Sequence, residues 1–402
     1  MPKYILIEVS NKEDEVKWLH ADRRFYKGNR NWVCPLDCDI RKIFDPKSNE
    51  MYHDGDAIRW YLLDETDNSV AGRIAAFYTK STALANEQPT GGCGFFECVD
   101  DQKAANIMFD AARDWLIKRG MEAMDGPINF GSRDSWWGLL VDGYEHQPLY
   151  ANPYNPPYYK SLFENYGFQN YFNQNTYIWR LEGGHINDLV FQRAERLLSN
   201  PEYHIENIRG RRLEDAAEDL RIIYNKAWSM FTGVKSMEKE EAQAMLRQIK
   251  PIIDPDIIYF AYYGAEPIGF FVMVPDINRV IGKFNGKFGL INKLRLIFDL
   301  KIRKKCDRIF GIIFGITPEF QGKGVESAIM QKMHDSYVMA GLCKYATMEF
   351  AWIGDFNPVM NRMIEKYVMA QKHKMHTTYR YLFDRTKEFH RCPRLGLKRR
   401  DE

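Results

Sequence analysis

The chain has 402 residues, 45% hydrophobic and 27% charged, with 56 basic residues set against 54 acidic ones. That length exceeds one ordinary compact core and predicts two domains, while a net charge of +2 excludes a general pull toward nucleic acid, so any basic patch must be local. The start has no signal-peptide order and no stretch of membrane-spanning length is free of charge, so a cytoplasmic location is expected.

Seven cysteines are too few and too odd for a disulfide framework. Cys34-x-x-x-Cys38 and Cys93-x-x-x-x-Cys98 lack a second pair or His cluster, so no metal is expected.

In the first half, periodicity predicts strand 3–9, helix 13–27, strands 57–64, 69–79 and 94–99, helix 102–119, strand 121–124, helix 156–166 and strand 170–180. Asp100 and Asp101 stand where that helix 102–119 needs an N-cap. The stretch 125–159 is dense in aromatics, Gly, Pro and Asn, and long loops of that kind carry binding residues. Trp136, Trp137, Tyr154, Asn155 and Tyr158 are expected either to line an acceptor pocket between the lobes or to pack the lobes together.

A boundary is expected at Gly183-Gly184, because strand 170–180 has ended there and a fresh helical pattern begins at Asn187. The second half then predicts strand 204–209, helices 213–230 and 238–249, strands 257–263, 267–274 and 309–316, helix 323–341 with Gly341 as its C-cap, strand 344–353, helix 358–369 and strand 377–383. The element order repeats that of the first half. Pro157 leading to Phe163-Glu164-Asn165-Tyr166 runs parallel to Pro358 leading to Ile364-Glu365-Lys366-Tyr367. A duplicated mixed α/β unit follows, with domains at 1–183 and 184–385 and a basic, flexible-looking tail at 386–402. His373-x-x-His376 reads as surface histidine.

Segment 281–308 adds an insertion carrying nine basic residues (Lys283, Lys287, Lys293, Arg295, Lys301, Arg303, Lys304, Lys305, Arg308) against two acidic ones, interleaved with apolar side chains. Three readings stay open: contact with an anionic lipid surface, a cover over a pocket for an acidic or acylated ligand, or a hairpin whose apolar face packs on the domain. No nucleic-acid-binding module accompanies the charge.

Residues 309–326 run from an apolar strand through a glycine-bearing turn into a helix. Unpaired backbone N–H groups there, with the positive end of the helix dipole, suit phosphate oxygens. The spacing Gln321-x-x-Gly324 behind Pro318 resembles the acyl-CoA turn of the Gcn5-related N-acetyltransferases. The segments Met348-Glu349-Phe350 and Asn357-Pro358-Val359-Met360-Asn361 are similar to the same family, and the whole chain resembles its tandem two-domain members, including an uncharacterised bacterial group.

The resemblance implies an α/β (α+β, mixed-sheet) fold of two tandem acyl-CoA N-acyltransferase-like domains. It also implies acetyl-CoA or another acyl-CoA as donor, and transfer of an acyl group, first of all acetyl, to the amine of a small-molecule or lipid-like acceptor. Gln321, Gly322, Lys323, Gly324 and Val325 would hold the pyrophosphate, Asn357 the pantetheine arm, and the backbone at Gly315 and Ile316 the thioester. Asp276 and Asn278 would face the acceptor or simply form an Asx-type turn. Glu349, and Glu97 in the first half, are candidate bases, each alternatively a paired structural carboxylate. Two departures matter: Glu326 stands where the family has Gly or Ala, and Ile364 where it often has an acidic tyrosine, leaving Tyr337, Tyr345, Tyr379 and Tyr381 as other acids. A long-chain or aminoacyl donor, and a non-catalytic binding role, stay open.

Overall fold

Thirteen strands form one continuous sheet in the computed structural model, which describes residues 3–84, 88–228, 236–339 and 344–394. The first half supplies β1 (Tyr4–Glu8), β2 (Gly55–Asp64), β3 (Ser69–Thr79), β4 (Thr90–Cys98), β5 (Ala123–Gly126), β6 (Leu139–Asp142) and β7 (Gln169–Arg180). The second supplies β8 (Tyr203–Asn207), β9 (Ile258–Tyr263), β10 (Glu266–Pro275), β11 (Arg308–Ile316), β12 (Thr347–Gly354) and β13 (Gln371–Leu382). Their order is β1-β2-β3-β4-β5-β13-β7-β12-β11-β10-β9-β8, with β6 paired to β13.

That order shows a strand exchange. The last strand of the chain, β13, lies against β5 of the first half (Tyr379↔Gly126, Leu382↔Ala123), while β7 lies against β12 of the second (Thr347↔Arg180, Gly354↔Gln174). The exchanged strands pair with each other, antiparallel, from Gln371↔Ile178 to Arg380↔Gln169. The duplicated plan expected from the sequence is therefore present, but units cut at 183 each surrender a closing strand to the other.

Helices cover the sheet where apolar side chains recur at three- and four-residue steps. Helix Gln102–Ile117 buries Ala104, Ala105, Met108, Phe109, Ala112 and Leu116, and Asp101 caps it by accepting from the Lys103 N–H at 2.8 Å. In the second half, helix Val325–His334 buries Val325, Ala328, Ile329 and Met333 in a core shared with Val190, Ala194 and Leu197 of helix Asp188–Leu198.

Several expectations shift. Helix 13–27 breaks into Lys12–Leu19 and Asp22–Phe25, and a helix at Asp37–Ile43 was not visible in the pattern. Strand β13 starts at Gln371 rather than 377 because polar residues in its first half are buried with partners. His376 is one of them: its Nε2 lies 3.1 Å from the Pro153 carbonyl, and burial pushes its pKa down to about 4, so it is not a surface histidine. The tail begins tethered, with Arg391 bonded to Asp355 at 2.7 Å and Asn170 at 3.0 Å. Gly341 and residues 395–402 lie outside the described residues.

Because each half lacks a strand of its own sheet, segments 1–183 and 184–402 expressed separately are expected to show no cooperative thermal transition. Co-expression should restore one. A monomeric, cooperatively melting 184–402 fragment would contradict the exchange.

Candidate active site

Strands β11 and β12 pair in parallel only at their beginnings, from Arg308↔Thr347 to Gly311↔Phe350. Beyond that point each follows its other neighbour, β11 staying with β10 as far as Ile316↔Gly269 and β12 staying with β7 as far as Gly354↔Gln174. The two strands therefore splay, and the wedge between them is a cavity of about 270 Å³. Phe271, Phe314, Phe350, Trp352 and Phe356 wall it, together with Met330, Met360, Met363 and Ile364. No lining residue carries an ionisable side chain; Asn357 is the polar one besides the Trp352 indole. Gly311 keeps the closed end open, since a Cβ there would stand 2.8 Å from the Phe271 ring.

The glycine turn sits at the end of β11. Gly322 and Gly324 have φ of +72° and +106°, conformations that favour glycine. Gln321 folds back to donate to the Ile316 carbonyl at 3.0 Å, and the Lys323 ammonium lies 4.8 Å from the centre of the Phe320 ring. Gln321, Gly322 and Lys323 are exposed, whereas Gly324 and Val325 are buried. The first helical bond runs from Ala328 N–H to the Gly324 carbonyl at 3.0 Å, which leaves the N–H groups of Val325, Glu326 and Ser327 without helical acceptors. Gly324 has no side chain with which to cap them. The corresponding helix of the first half is already capped by a carboxylate at Asp101. The two helix starts thus differ: one leaves its first N–H groups without a side-chain cap and the other has its cap filled.

Glu326 is half-buried in this first turn, and its Oε2 has no hydrogen-bond partner among the described residues. Gly315 and Ile316 are buried at the end of β11. Asn357 lines the cavity and caps helix Pro358–Arg362, its Oδ1 accepting from Met360 N–H at 3.1 Å. The polar side chains next along are engaged across the strand exchange: Asn361 Oδ1 accepts from Tyr177 at 2.7 Å and Asn175 at 3.0 Å.

Glu349 does not reach the cleft. It is 0% exposed, bonded to Arg308 at 2.8 Å and Lys374 at 2.6 Å. Burial opposes its ionisation, but Lys374, His373 and Arg308 outweigh that and hold the carboxyl well below the usual carboxylate range. A carboxylate so fixed is a poor base, so the structural alternative is the one observed. Arg308 also bonds Asp276 at 2.5 Å and the Pro148 carbonyl at 3.0 Å, making a neutral buried set of two anions and two cations across β10 to β13. Asp276 and Asn278 belong to this set and its fringe: Asp276 accepts from Tyr150 N–H at 2.9 Å, and Asn278 donates to the Pro148 carbonyl at 3.0 Å. Neither faces an open acceptor path, and Arg308 leaves the insertion's exposed charge. Sequence spacing hid this set because its members are scattered over 99 positions, from Asp276 to Lys374.

The aromatic loop residues pack the first unit rather than the cavity. Trp136 and Trp137 pack on the cluster that holds Trp18, Phe44 and Phe130; Asn155 clamps both backbone groups of Leu140; Tyr154 and Tyr158 donate at 2.7 Å to the carbonyls of Tyr144 and Cys98. The loop still meets the cleft wall, since the Trp352 indole N–H donates to the Arg133 carbonyl at 3.0 Å. The hydroxyls of Tyr337, Tyr345 and Tyr379 bond Asp256, Asp254 and Glu164, and Tyr381 packs on Tyr166; all four lie away from the cavity.

Glu97 is buried in the first unit, where Tyr26 and Tyr159 donate to it at 2.9 and 2.8 Å; burial is the main cause that raises its pKa from 4.5 to about 7. The folded state thus holds this proton more tightly than the unfolded one, so stability is full below pH 4.5 and falls as pH rises through about 7. The melting temperature of Glu97→Gln relative to the parent should rise between about pH 5 and pH 8. Glu349→Gln, which leaves the buried Lys374 without its paired carboxylate while Arg308 keeps Asp276, should cost roughly 3–5 kcal/mol in denaturant unfolding; an unchanged midpoint would refute its pairing.

No family model matches the chain. Protein YghO of Escherichia coli (strain K12) is 24% identical over 378 residues, 92% of this chain and 93% of that protein. Bacterial ceramide synthase of Caulobacter vibrioides (strain NA1000 / CB15N) is 25% identical over 367 residues, 90% of this chain and 93% of that protein. Among solved structures, a tandem GNAT protein from the clavulanic acid biosynthesis pathway aligns with a TM-score of 0.51 at 10% identity, over 95% of this chain and 99% of that one. A GCN5-related glucosamine N-acetyltransferase region in a fungal multi-domain GH3 beta-N-acetylglucosaminidase aligns at 0.55 and 11% identity, over 95% of this chain and 38% of that one. With the strand order and the splayed pair, these likenesses show that the chain has the tandem fold of the GCN5-related N-acetyltransferase superfamily.

Proposed function

We propose that the protein transfers a long-chain acyl group from acyl-CoA to the amine of a lipid-like acceptor. The observation that carries this is the wedge between β11 and β12, whose wall is aromatic, aliphatic and methionine side chains without an ionisable group; the uncapped start of helix Val325–His334 follows β11 in the chain. The free edge of β11 beyond Gly311 offers backbone donors and acceptors to the amides of a pantetheine arm. Methionines adapt their shape to flexible apolar chains, and Met330, Met360 and Met363 stand together here. The relative named a bacterial ceramide synthase supports the same direction, a ceramide being an amide of a long-chain amine.

The chemistry asks little of side chains. The amine nitrogen attacks the thioester carbonyl, a C–N bond forms, the C–S bond breaks, and the nitrogen gives its proton to water. A thiol is a stronger acid than an alkylamine, so the sulfur leaves as thiolate without a general acid, which accommodates Ile364. An apolar wall disfavours the ammonium form and so favours the neutral, nucleophilic amine. Positioning supplies the rate. With no titrating group in the wedge, kcat/KM should rise with pH until the acceptor amine's own pKa and then level, without a descending limb. A bell-shaped profile abolished by a single carboxylate variant would contradict this.

Binding separates donor classes. Calorimetric titration is expected to give palmitoyl-CoA at least tenfold tighter than acetyl-CoA, with Met363→Trp removing that preference and Gly324→Glu weakening both. Glu326→Gln, which removes a charge beside the phosphate turn, should tighten both by roughly tenfold, or 1.4 kcal/mol. Equal affinities with a neutral Met363→Trp would defeat the long-chain donor; an unaffected Gly324→Glu would defeat the phosphate turn.

A further inference from the structure

The insertion between β10 and β11 forms helix Leu290–Lys301, and its amphipathicity is turned outward. Its buried residues are Leu296 and the carboxylate of Asp299, seated beside Val33, Leu36 and Phe284. Leu290, Ile291 and Ile302 are 73%, 82% and 69% exposed, and Leu294, Ile297 and Phe298 are exposed with them. At 100° per residue, the positions 290, 291, 294, 297 and 298 fall within about 120° of arc, centred opposite the seam at 296 and 299. An ordinary surface helix does the reverse.

Within the helix Lys293 and Arg295 flank this apolar stripe on its two sides, Lys301 lies on the stripe at its C-terminal end, and further basic side chains precede and follow the helix. Lys283, Lys287, Lys293, Arg295, Lys301, Arg303, Lys304 and Lys305 are all exposed. Asp299 sits beneath, with Arg295, Arg303 and Lys305 at 3.8, 3.6 and 3.3 Å, which anchors the basic side chains at the helix's inner edge. The exposed acidic residue, Asp307, is held by Arg279 at 2.8 Å. An apolar stripe at the centre with cations along both sides is the profile of a helix lying in the headgroup plane of an anionic bilayer. A second copy of the chain fits less well, because a symmetric contact would bring like charges together.

We infer that helix Leu290–Lys301 seats the protein on the surface of an anionic membrane, its leucine, isoleucine and phenylalanine side chains entering the acyl boundary and its lysines and arginines meeting lipid phosphates. The inference stands on this face alone and does not depend on the reading of the cleft, although a membrane-seated enzyme would meet a lipid-like acceptor where it resides. No helix among the described residues is long and apolar enough to cross a membrane, so attachment here is peripheral.

Flotation of the full chain with phosphatidylcholine vesicles, with and without phosphatidylglycerol, tests it. The parent should float with the anionic vesicles and remain behind with the neutral ones. The triple variant Leu290→Asp, Leu294→Asp, Phe298→Asp should lose that binding while its melting temperature stays put, the three side chains being exposed. A second variant, Lys287→Glu, Lys293→Glu, Lys301→Glu, Lys304→Glu, keeps the apolar side chains and should weaken binding by roughly a thousandfold or more. Failure of the parent to float, equal flotation on neutral vesicles, undiminished flotation of either variant, or a dimer in solution that the triple variant dissolves without any vesicle binding would each overturn the inference.

Discussion

The pairing of β7 with β13 is the constraint on which the remaining structure depends. These two strands come from opposite halves of the chain, lie side by side in the middle of the sheet, and carry an unusual load of buried polar residues: Gln174, Asn175 and Thr176 on one, Lys374, His376, Thr377 and Thr378 on the other. Cross-strand bonds between buried polar side chains specify register, because a slip by one residue breaks them and turns each strand's side chains to the other face. Thr378 on Gln174 and Thr377 on Asn173 are such cross-strand bonds. Once β7 is fixed, it holds β12 on both sides of a bulge at Ala351 and Trp352. That grip draws β12 away from β11 and opens the wedge.

Charge and reactivity are thereby kept apart. At the closed end of the wedge, where β11 and β12 still pair, Arg308 and Glu349 join Asp276 and Lys374 in a buried ionic set that binds the first-half loop carbonyls of Gln147 and Pro148. At the open end the wall is apolar, and the glycine turn and the uncapped start of helix Val325–His334 follow β11 in the chain. The ions brace the sheet against which the strands splay. An amine and a thioester held in the wedge need placement more than proton transfer.

The sequence spoke clearly wherever a local rule governs. The glycine turn behind an apolar strand, the Asp101 cap, the heptad-like face of helix Val325–His334 and the repeated element order all follow from neighbours within a few residues. It was silent where partners are distant. Glu349 looked like a base because its strand is apolar, and the cations that neutralise it lie 41 and 25 positions away. Lys374 and His376 look like surface residues in the sequence, and only their buried partners show that strand β13 extends back to Gln371. The exchange of β7 and β13 cannot be seen in periodicity at all, since each strand has the same pattern whichever sheet it joins. The insertion was legible as amphipathic and basic, but only its seat on Leu296 and Asp299 tells that the apolar side faces out.

The divergence of β11 from β12 is the feature proposed to seat an acyl-CoA. A crystal structure of the protein with a non-hydrolysable thioether analogue of palmitoyl-CoA tests it most directly. The account predicts the pyrophosphate at the N–H groups of 322–327, the pantetheine along the free edge of β11, and the alkyl chain among Phe271, Met330, Met363 and Ile364. A ligand bound elsewhere, or a wedge that stays closed to it at saturating concentration, would contradict the account.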